Sequence, residues 1–241
     1  MRMNLIPSIG GLVRLFIPLE CPVCGNVPFD GESGSFCADC LRHFDFVPEP
    51  SCPGCGGVMD GILGMCPVCL RSAADRPWQD AFSLFRMNGF GRDLIHQFKY
   101  ENRPELARPL ARLTAQRLGG RIRNAGFDWI VPVPLHWSRF LSRGYNQSEV
   151  FARCVGAELG IPVTDALRRV RRTDKQASLS QKQRIANLKD AFRINHSTKP
   201  EKRAILLVDD VMTTGSTLAS AARTLRRAGA GRIGILILAR R

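Results

Sequence analysis

Apolar residues in this chain follow two rhythms in turn, one suited to buried strands and one to helices lying against them. Ile205 to Val208 is an unbroken apolar run that predicts a buried strand. Leu218, Ala221, Ala222 and Leu225 then keep the i, i+3, i+4, i+7 spacing of a helix with one apolar face. Upstream, Ala81 to Met87 predicts a strand, and Arg92 to Tyr100 and Glu105 to Arg117 predict two helices. Asp128 to Val133 predicts a second strong strand ending in Pro-Val-Pro, and an apolar-periodic helix runs through Leu159. Strands alternating with helices place the chain in the α/β class. The first twenty residues carry Leu5, Ile6, Ile9, Leu12, Val13, Leu15, Phe16 and Ile17, broken by Pro7, Gly10, Gly11 and Arg14. That run is too short and interrupted to span a bilayer or to serve as a signal peptide, so it predicts a short amphipathic helix. No other apolar run reaches membrane-spanning length, and a cytoplasmic protein is expected.

Between the strand at 205–208 and the helix after it lie the residues with the most chemistry. Asp209 and Asp210 sit at the strand's C-terminal edge, and Val211 and Met212 lead into a hydroxyl- and glycine-rich loop, Thr213, Thr214, Gly215, Ser216 and Thr217. Ligands bind at the C-terminal ends of strands in open α/β sheets. A loop feeding a helix N-terminus presents N–H groups and a positive dipole end, which suit a phosphate. Acids beside such a cradle repel phosphate, and a sugar phosphate resolves the conflict. The loop takes the phosphate while the carboxylates accept hydrogen bonds from vicinal sugar hydroxyls and help hold a hydrated Mg²⁺. The plainer alternative is a strand–turn–helix whose acids only end the strand and cap the helix. Neither GxxxxGK[ST] nor GxGxxG occurs here, so ATPase and dinucleotide readings lose their motifs. The segment resembles the motif with which type I phosphoribosyltransferases bind phosphoribosyl pyrophosphate (PRPP).

Eight of the nine cysteines form four CxxC pairs: Cys21/Cys24, Cys37/Cys40, Cys52/Cys55 and Cys66/Cys69. The pairs repeat with periods of 31 and 29 residues, an internal duplication. A CxxC turn aims two thiolates at one ion, and two such turns complete a tetrahedral Cys₄ site. Two structural Zn²⁺ are expected, with sequential pairing (21, 24, 37, 40 and 52, 55, 66, 69) and a cross-braced pairing as the alternative. Four thiolates leave no open position, so the metals serve folding and not catalysis. Cys154 stands alone and reads as a small buried hydrophobe. His43, His96, His136 and His196 show no ligand spacing.

Charge sharpens the picture. The net +14 is uneven: residues 1–70 hold 3 Lys+Arg against 7 Asp+Glu, and residues 71–241 hold 32 against 14. Such a field attracts polyanions, either a pyrophosphate-bearing metabolite or a nucleic acid. Arginine-rich composition without a ligand is the alternative. The segment 136–148, expected as a loop off the second strand, carries Arg139, Arg143, Gly144 and Asn146, which suit an anion. In phosphoribosyltransferases the corresponding loop holds pyrophosphate, and the resemblance carries that role to Arg139 and Arg143. A solvated turn with a helix cap at Asn146 is the other reading. Residues 168–203 hold twelve Lys+Arg against Asp174, Asp190 and Glu201. They suit a cationic lid closing over pyrophosphate, with Arg172, Lys175, Gln176 and Arg184 as candidates, or an ordinary solvated stretch.

Taken together, the cysteine module, Pro-Val-Pro…Arg-Gly-Tyr-Asn-Gln-Ser, Arg-Thr…Gln…Leu-Ser…Arg…Asn-Leu…Ala-Phe and Val-Asp-Asp-Val-Met-Thr-Thr-Gly-Ser-Thr resemble the ComF (ComFC-like) competence proteins essentially end to end. The resemblance implies a type I phosphoribosyltransferase-like sheet flanked by helices, with a small N-terminal zinc-binding module. The expected domains are an amphipathic segment at 1–19, a double Cys₄ zinc ribbon at 20–76 and a phosphoribosyltransferase-like domain at 77–241. It further implies PRPP with Mg²⁺, and a role in DNA uptake and natural transformation beside a competence helicase and recombination proteins. The implied catalytic set is Asp209, Asp210, Lys175 and Arg143, with Val211 to Thr217 and Arg139 completing the binding site. Pentosyl transfer from PRPP, with Mg²⁺-bound pyrophosphate leaving, is one class of activity. A non-catalytic module binding single-stranded DNA or a regulatory ligand is the other, and Trp137, Phe140 and Tyr145 are its nearest stacking aromatics. No residue identifies an acceptor nucleophile, and no cysteine suits glutamine hydrolysis.

Overall fold

A computed structural model describes residues 20–26, 35–59, 64–71, 76–170 and 191–241. The segment expected as an amphipathic helix at 1–19 and the lid candidates Arg172, Lys175, Gln176 and Arg184 lie outside the described residues. The chain divides into two compact units, Met1–His43 and Phe44–Arg241. In the smaller unit, helix α1 (Ala38–Arg42) starts at Cys37, whose sulfur accepts from the Cys40 N–H at 3.5 Å.

The larger unit contains α2 (Pro67–Arg71), β1 (Asp80–Arg86), α3 (Gly89–Tyr100), a 3₁₀ turn (Pro104–Leu106), α4 (Ala107–Ala125) and β2 (Trp129–Pro132). After these come α5 (Trp137–Arg143), α6 (Gln147–Leu159), β3 (Leu167–Arg169), β4 (Phe192–Ile194), β5 (Ile205–Met212), α7 (Ser216–Arg227) and β6 (Ile233–Arg240). Four strands form a parallel sheet in the order β1-β6-β5-β2. Its two central strands are near-continuous apolar runs, as burial on both faces requires. β3 and β4 form a separate antiparallel pair on either side of the basic segment 171–190.

Alternation along each strand assigns the two faces. Ile205, Leu207, Ile235 and Ile237 share one buried cluster with Leu218, Ala221, Ala222 and Leu225 of α7 and with Cys52, Cys55, Cys69 and Trp78. The four α7 residues are the ones its periodicity marks as the apolar face. Residues of the other parity, among them Leu206, Val208, Leu236 and Leu238, are equally buried. α4 packs along α6, which reaches β2 and β5. α4 continues through Gly119-Gly120 because Gly119 lies against Leu159, where an added Cβ would come within 3.1 Å of the leucine Cδ2.

Two local expectations are corrected. The segment 136–148 is no simple loop: Trp137–Arg143 is a helix, capped by the His136 ring, which accepts from the Ser138 N–H at 3.3 Å. Cys154 is half-buried on α6, where burial pushes its thiol above the ordinary range.

Unequal strand lengths set one end of the sheet apart. β2 stops at Pro132, opposite Val208, while β5 continues through Asp209–Met212 alongside β6. The departing chain from β2, the start of α6 and the end of α3 all converge on this extension.

Candidate functional site

Successive strand residues point to opposite faces, so the two β5 carboxylates meet different partners. Asp210 is buried and pairs with Lys99 Nζ at the end of α3, 2.9 Å away. Asp209 Oδ1 accepts from Ser148 Oγ at the start of α6 at 2.8 Å, and from the Asp210 N–H at 2.9 Å. Burial, followed by the neighbouring Asp210 charge, pushes the Asp209 carboxyl up to about 7; the Ser148 hydrogen bond and the Lys99 charge oppose the shift. A carboxylate poised near neutrality beside a cation can accept hydroxyl hydrogen bonds or join a metal's shell.

Beyond the acids, Val211 to Leu218 line an open hollow of about 270 Å³ together with Asp209. Gly215 turns the chain into α7 with φ of +76°, a conformation that costs other residues strain. Thr214 Oγ1 lies 2.8 Å from Ser216 Oγ and accepts from the Ser216 N–H at 3.4 Å, tying the loop across itself. The first N–H groups of α7 have no helical carbonyl behind them to bond, so this end of the hollow suits an anion. From β6, Arg240 Nη1 donates to the carbonyls of Met212 at 3.1 Å and Thr213 at 2.7 Å, bracing the loop from behind.

The arginines divide. Arg143 lies over Tyr100, 4.9 Å from the ring centroid, and donates to Gln147 Oε1 at 3.1 Å and Tyr100 Oη at 3.3 Å. Arg139 is coupled to Arg169 of β3, whose ionisation falls to about 10 because of burial and the Arg139 charge, partly offset by Asp209. Asn146 begins α6 without a side-chain cap bond and instead donates to the Val133 carbonyl at 3.2 Å.

Both cysteine clusters are assembled in sequence order, Cys21, Cys24, Cys37 and Cys40 in one and Cys52, Cys55, Cys66 and Cys69 in the other. The cross-braced alternative falls. Within each cluster the ligand atoms lie within 4.8 Å of one another. Cys24 and Cys37 sulfurs are 3.4 Å apart and those of Cys55 and Cys66 3.8 Å. Tetrahedral Zn–S bonds of about 2.3 Å put sulfurs about 3.8 Å apart, so the donor sets fit zinc. Cys66 N–H also donates to Cys52 Sγ at 3.3 Å, the outer-shell bond that a thiolate ligand takes.

Lys99, Ser148 and Arg169 were missed by the sequence reading. Ser148 lies inside the Arg-Gly-Tyr-Asn-Gln-Ser block, where a hydroxyl opening a helix was the available signal. Lys99 carries no local signal, whereas Arg169 falls in the basic window 168–203 without being distinguished from the other cations there.

A phosphoribosyl transferase domain model matches residues 145–241 and a double zinc ribbon domain model matches residues 12–70. The chain is 34% identical over 230 residues to the DNA utilization protein YhgH of Salmonella typhi, covering 94% of this chain and 99% of that protein. It is 32% identical to competence protein F of Haemophilus influenzae, covering 93% and 98%. A solved glutamine PRPP amidotransferase from B. subtilis aligns with a TM-score of 0.40 and 20% identity, covering 59% of this chain and 30% of that one. Among the described residues no helix is long and apolar enough to cross a membrane. With such identity along nearly the whole of both chains, and with two Cys₄ clusters ahead of a parallel sheet, this protein belongs to the ComF/YhgH family of phosphoribosyltransferase-fold proteins.

Proposed function

We propose that this chain binds PRPP, with Mg²⁺, in the hollow at the end of β5. The observation that carries the reading is the juxtaposition of Asp209 with a hydroxyl-rich loop opening a helix, beside the Asp210–Lys99 pair. The Thr213–Thr217 loop takes the 5′-phosphate, Asp209 and Asp210 accept the ribose hydroxyls, and Arg139 with Arg169 receives the pyrophosphate. Asp209 and Asp210 would hold Mg²⁺, which would supply charge neutralisation at the departing group. If transfer occurs, the C1–O bond to pyrophosphate breaks with its electron pair leaving on oxygen, and the acceptor's nucleophile forms the new bond to C1 while its proton passes to solvent. Positioning and electrostatics then supply most of the catalysis. Zinc thiolates persist where thiols stay reduced, which supports a cytoplasmic location.

Calorimetric titration with PRPP and Mg²⁺ tests this reading. Asp209→Asn with Asp210→Asn is expected to weaken binding at least about 100-fold, the loss of two charge-assisted acceptors, while zinc content stays unchanged. A folded double variant that binds as tightly as wild type would sink the assignment.

A second reading is favoured by α5. None of its residues is buried, and Trp137, Phe140 and Leu141 are exposed at 66%, 47% and 72%, beside Arg139 and Arg143, with Tyr100 exposed nearby. Aromatic rings interleaved with arginines suit single-stranded nucleic acid. The relatives named for DNA utilization and competence support that surface as a DNA-handling site in transformation. The two readings share Arg139 and differ in the exposed aromatic residues, which belong to the second alone.

A further inference from the structure

The second cysteine cluster is built into the larger unit directly behind the phosphate loop. Trp78 is buried, and its indole Nε1 donates to the carbonyl of Gly54 at 2.9 Å. Gly54 lies inside the Cys52–Cys55 knuckle and is pressed on the far ligand, since a Cβ added there would meet Cys69 Cβ and Sγ at 3.1 Å. At its other edge the same ring supports the loop: Trp78 Cη2 is 3.4 Å from where a Cβ on Gly215 would stand, next to Met212 Sδ at 3.3 Å. A parallel route passes through Gly57, where an added Cβ would lie 3.3 Å from Cys55 Sγ and 3.6 Å from Arg240 Cγ. Arg240 is the residue that holds the Met212 and Thr213 carbonyls. The knuckle and the loop are therefore separated by one layer of side chains, and both routes end at residues that shape the hollow.

We infer that Trp78 is a positioning residue that transmits the geometry of the second Cys₄ site to the phosphate loop, so that metal occupancy there and PRPP affinity are linked. The inference rests on the PRPP reading above. A knuckle closed on its metal fixes the Gly54 carbonyl; the carbonyl fixes the indole; the ring edge sets how far Gly215 and Met212 can retreat. A metal-free knuckle loses the constraint that holds Cys52 and Cys55 together, and the ring loses its anchor. Because linkage is reciprocal, PRPP bound in the hollow must retain the metal by the same factor by which the metal tightens PRPP.

The test uses the full-length zinc-loaded protein and Trp78→Phe, which keeps ring bulk and removes the donor to Gly54. Calorimetry with Mg²⁺ and PRPP gives affinity, and transfer of zinc to a pyridylazo dye, with and without saturating PRPP, gives metal retention. The expected result is a Trp78→Phe variant with full zinc content and PRPP binding weakened about 5- to 50-fold, within the usual span of coupling energies. PRPP should raise the equilibrium zinc affinity of the wild type, read from the fraction of zinc the dye holds at equilibrium, by a similar factor and do so much less in the variant. Arg240→Lys, tested the same way, covers the second route should Trp78→Phe fail to fold. Unchanged affinity in a folded variant, or an equilibrium zinc transfer to the dye from PRPP-saturated wild type equal to that without ligand, overturns the inference. A wild type that ignores PRPP but takes pyrophosphate defeats the ribose assignment alone, and the same comparison with pyrophosphate then decides the linkage. A wild type that takes neither overturns both.

Discussion

At the scale of single residues, the acid pair has consequences that pH and mutation can expose. Asp209 titrates near 7 in the fold against an ordinary 3.8, through burial and the Asp210 charge, with Lys99, Arg169 and the Ser148 hydroxyl facing it from other elements. Ionising it costs more in the fold than in the unfolded chain. Its influence on stability is therefore absent below about pH 4 and turns unfavourable as pH rises toward 7. Thermal melts of Asp209→Asn should lack that part of the wild-type slope. PRPP affinity should rise as pH passes through 7, because the ionised carboxylate accepts from the ribose hydroxyls more strongly than the neutral carboxyl does. Lys99→Gln leaves the Asp210 carboxylate buried without its cation. The expected loss is about 3 kcal/mol in urea unfolding, and an unchanged midpoint would show that Asp210 finds another partner. Asp209, Asp210 and the loop were legible in the sequence because they are contiguous. Lys99 and Arg169 were not, because each is remote in sequence from the strand it serves and resembles any other surface cation.

At the scale of elements, period was the reliable guide wherever an apolar face met the core. The buried residues of α7 are those its spacing marks, and β5 and β6 are apolar because both of their faces are covered. Where nothing is buried, the pattern is silent. α5 has no core-facing residue, so its helix was invisible among Pro, Gly and Arg, and the segment reads as a loop. Its exposed rings have their own prediction. Trp137→Ala with Phe140→Ala should weaken binding of a short single-stranded oligonucleotide, with about 1–3 kcal/mol expected per stacked base, and leave PRPP affinity unchanged. Oligonucleotide affinity measured by fluorescence anisotropy checks it, and equal binding by the variant and the wild type removes α5 from the DNA surface.

Across the whole molecule, the duplicated cysteine motif conceals an asymmetry. The sequence repeat suggests one module carrying two equivalent sites, whereas the compact units divide between His43 and Phe44. The second cluster shares its core with Trp78 and the sheet, a relationship that depends on contacts between residues far apart in the chain. The net charge operates at the same scale. The excess of Lys+Arg in residues 71–241 predicts that oligonucleotide binding falls steeply with salt, and a flat logarithmic plot between low and moderate salt would remove the electrostatic contribution.

The position of β6 has a further consequence, for how the protein is made. β6 follows every other described strand yet lies between β1 and β5, with Gly234 paired to both Asp80 and Leu206. Neither neighbour can complete its ladder until β6 has left the ribosome. Until then β1 and β5 present open apolar edges, the kind that recruit chaperones or other nascent chains. Pairing across so long a span of sequence carries the loop-closure cost that slows folding. The Thr213–Thr217 loop waits longest, because Arg240, its brace, is the last residue of the strand that closes the sheet.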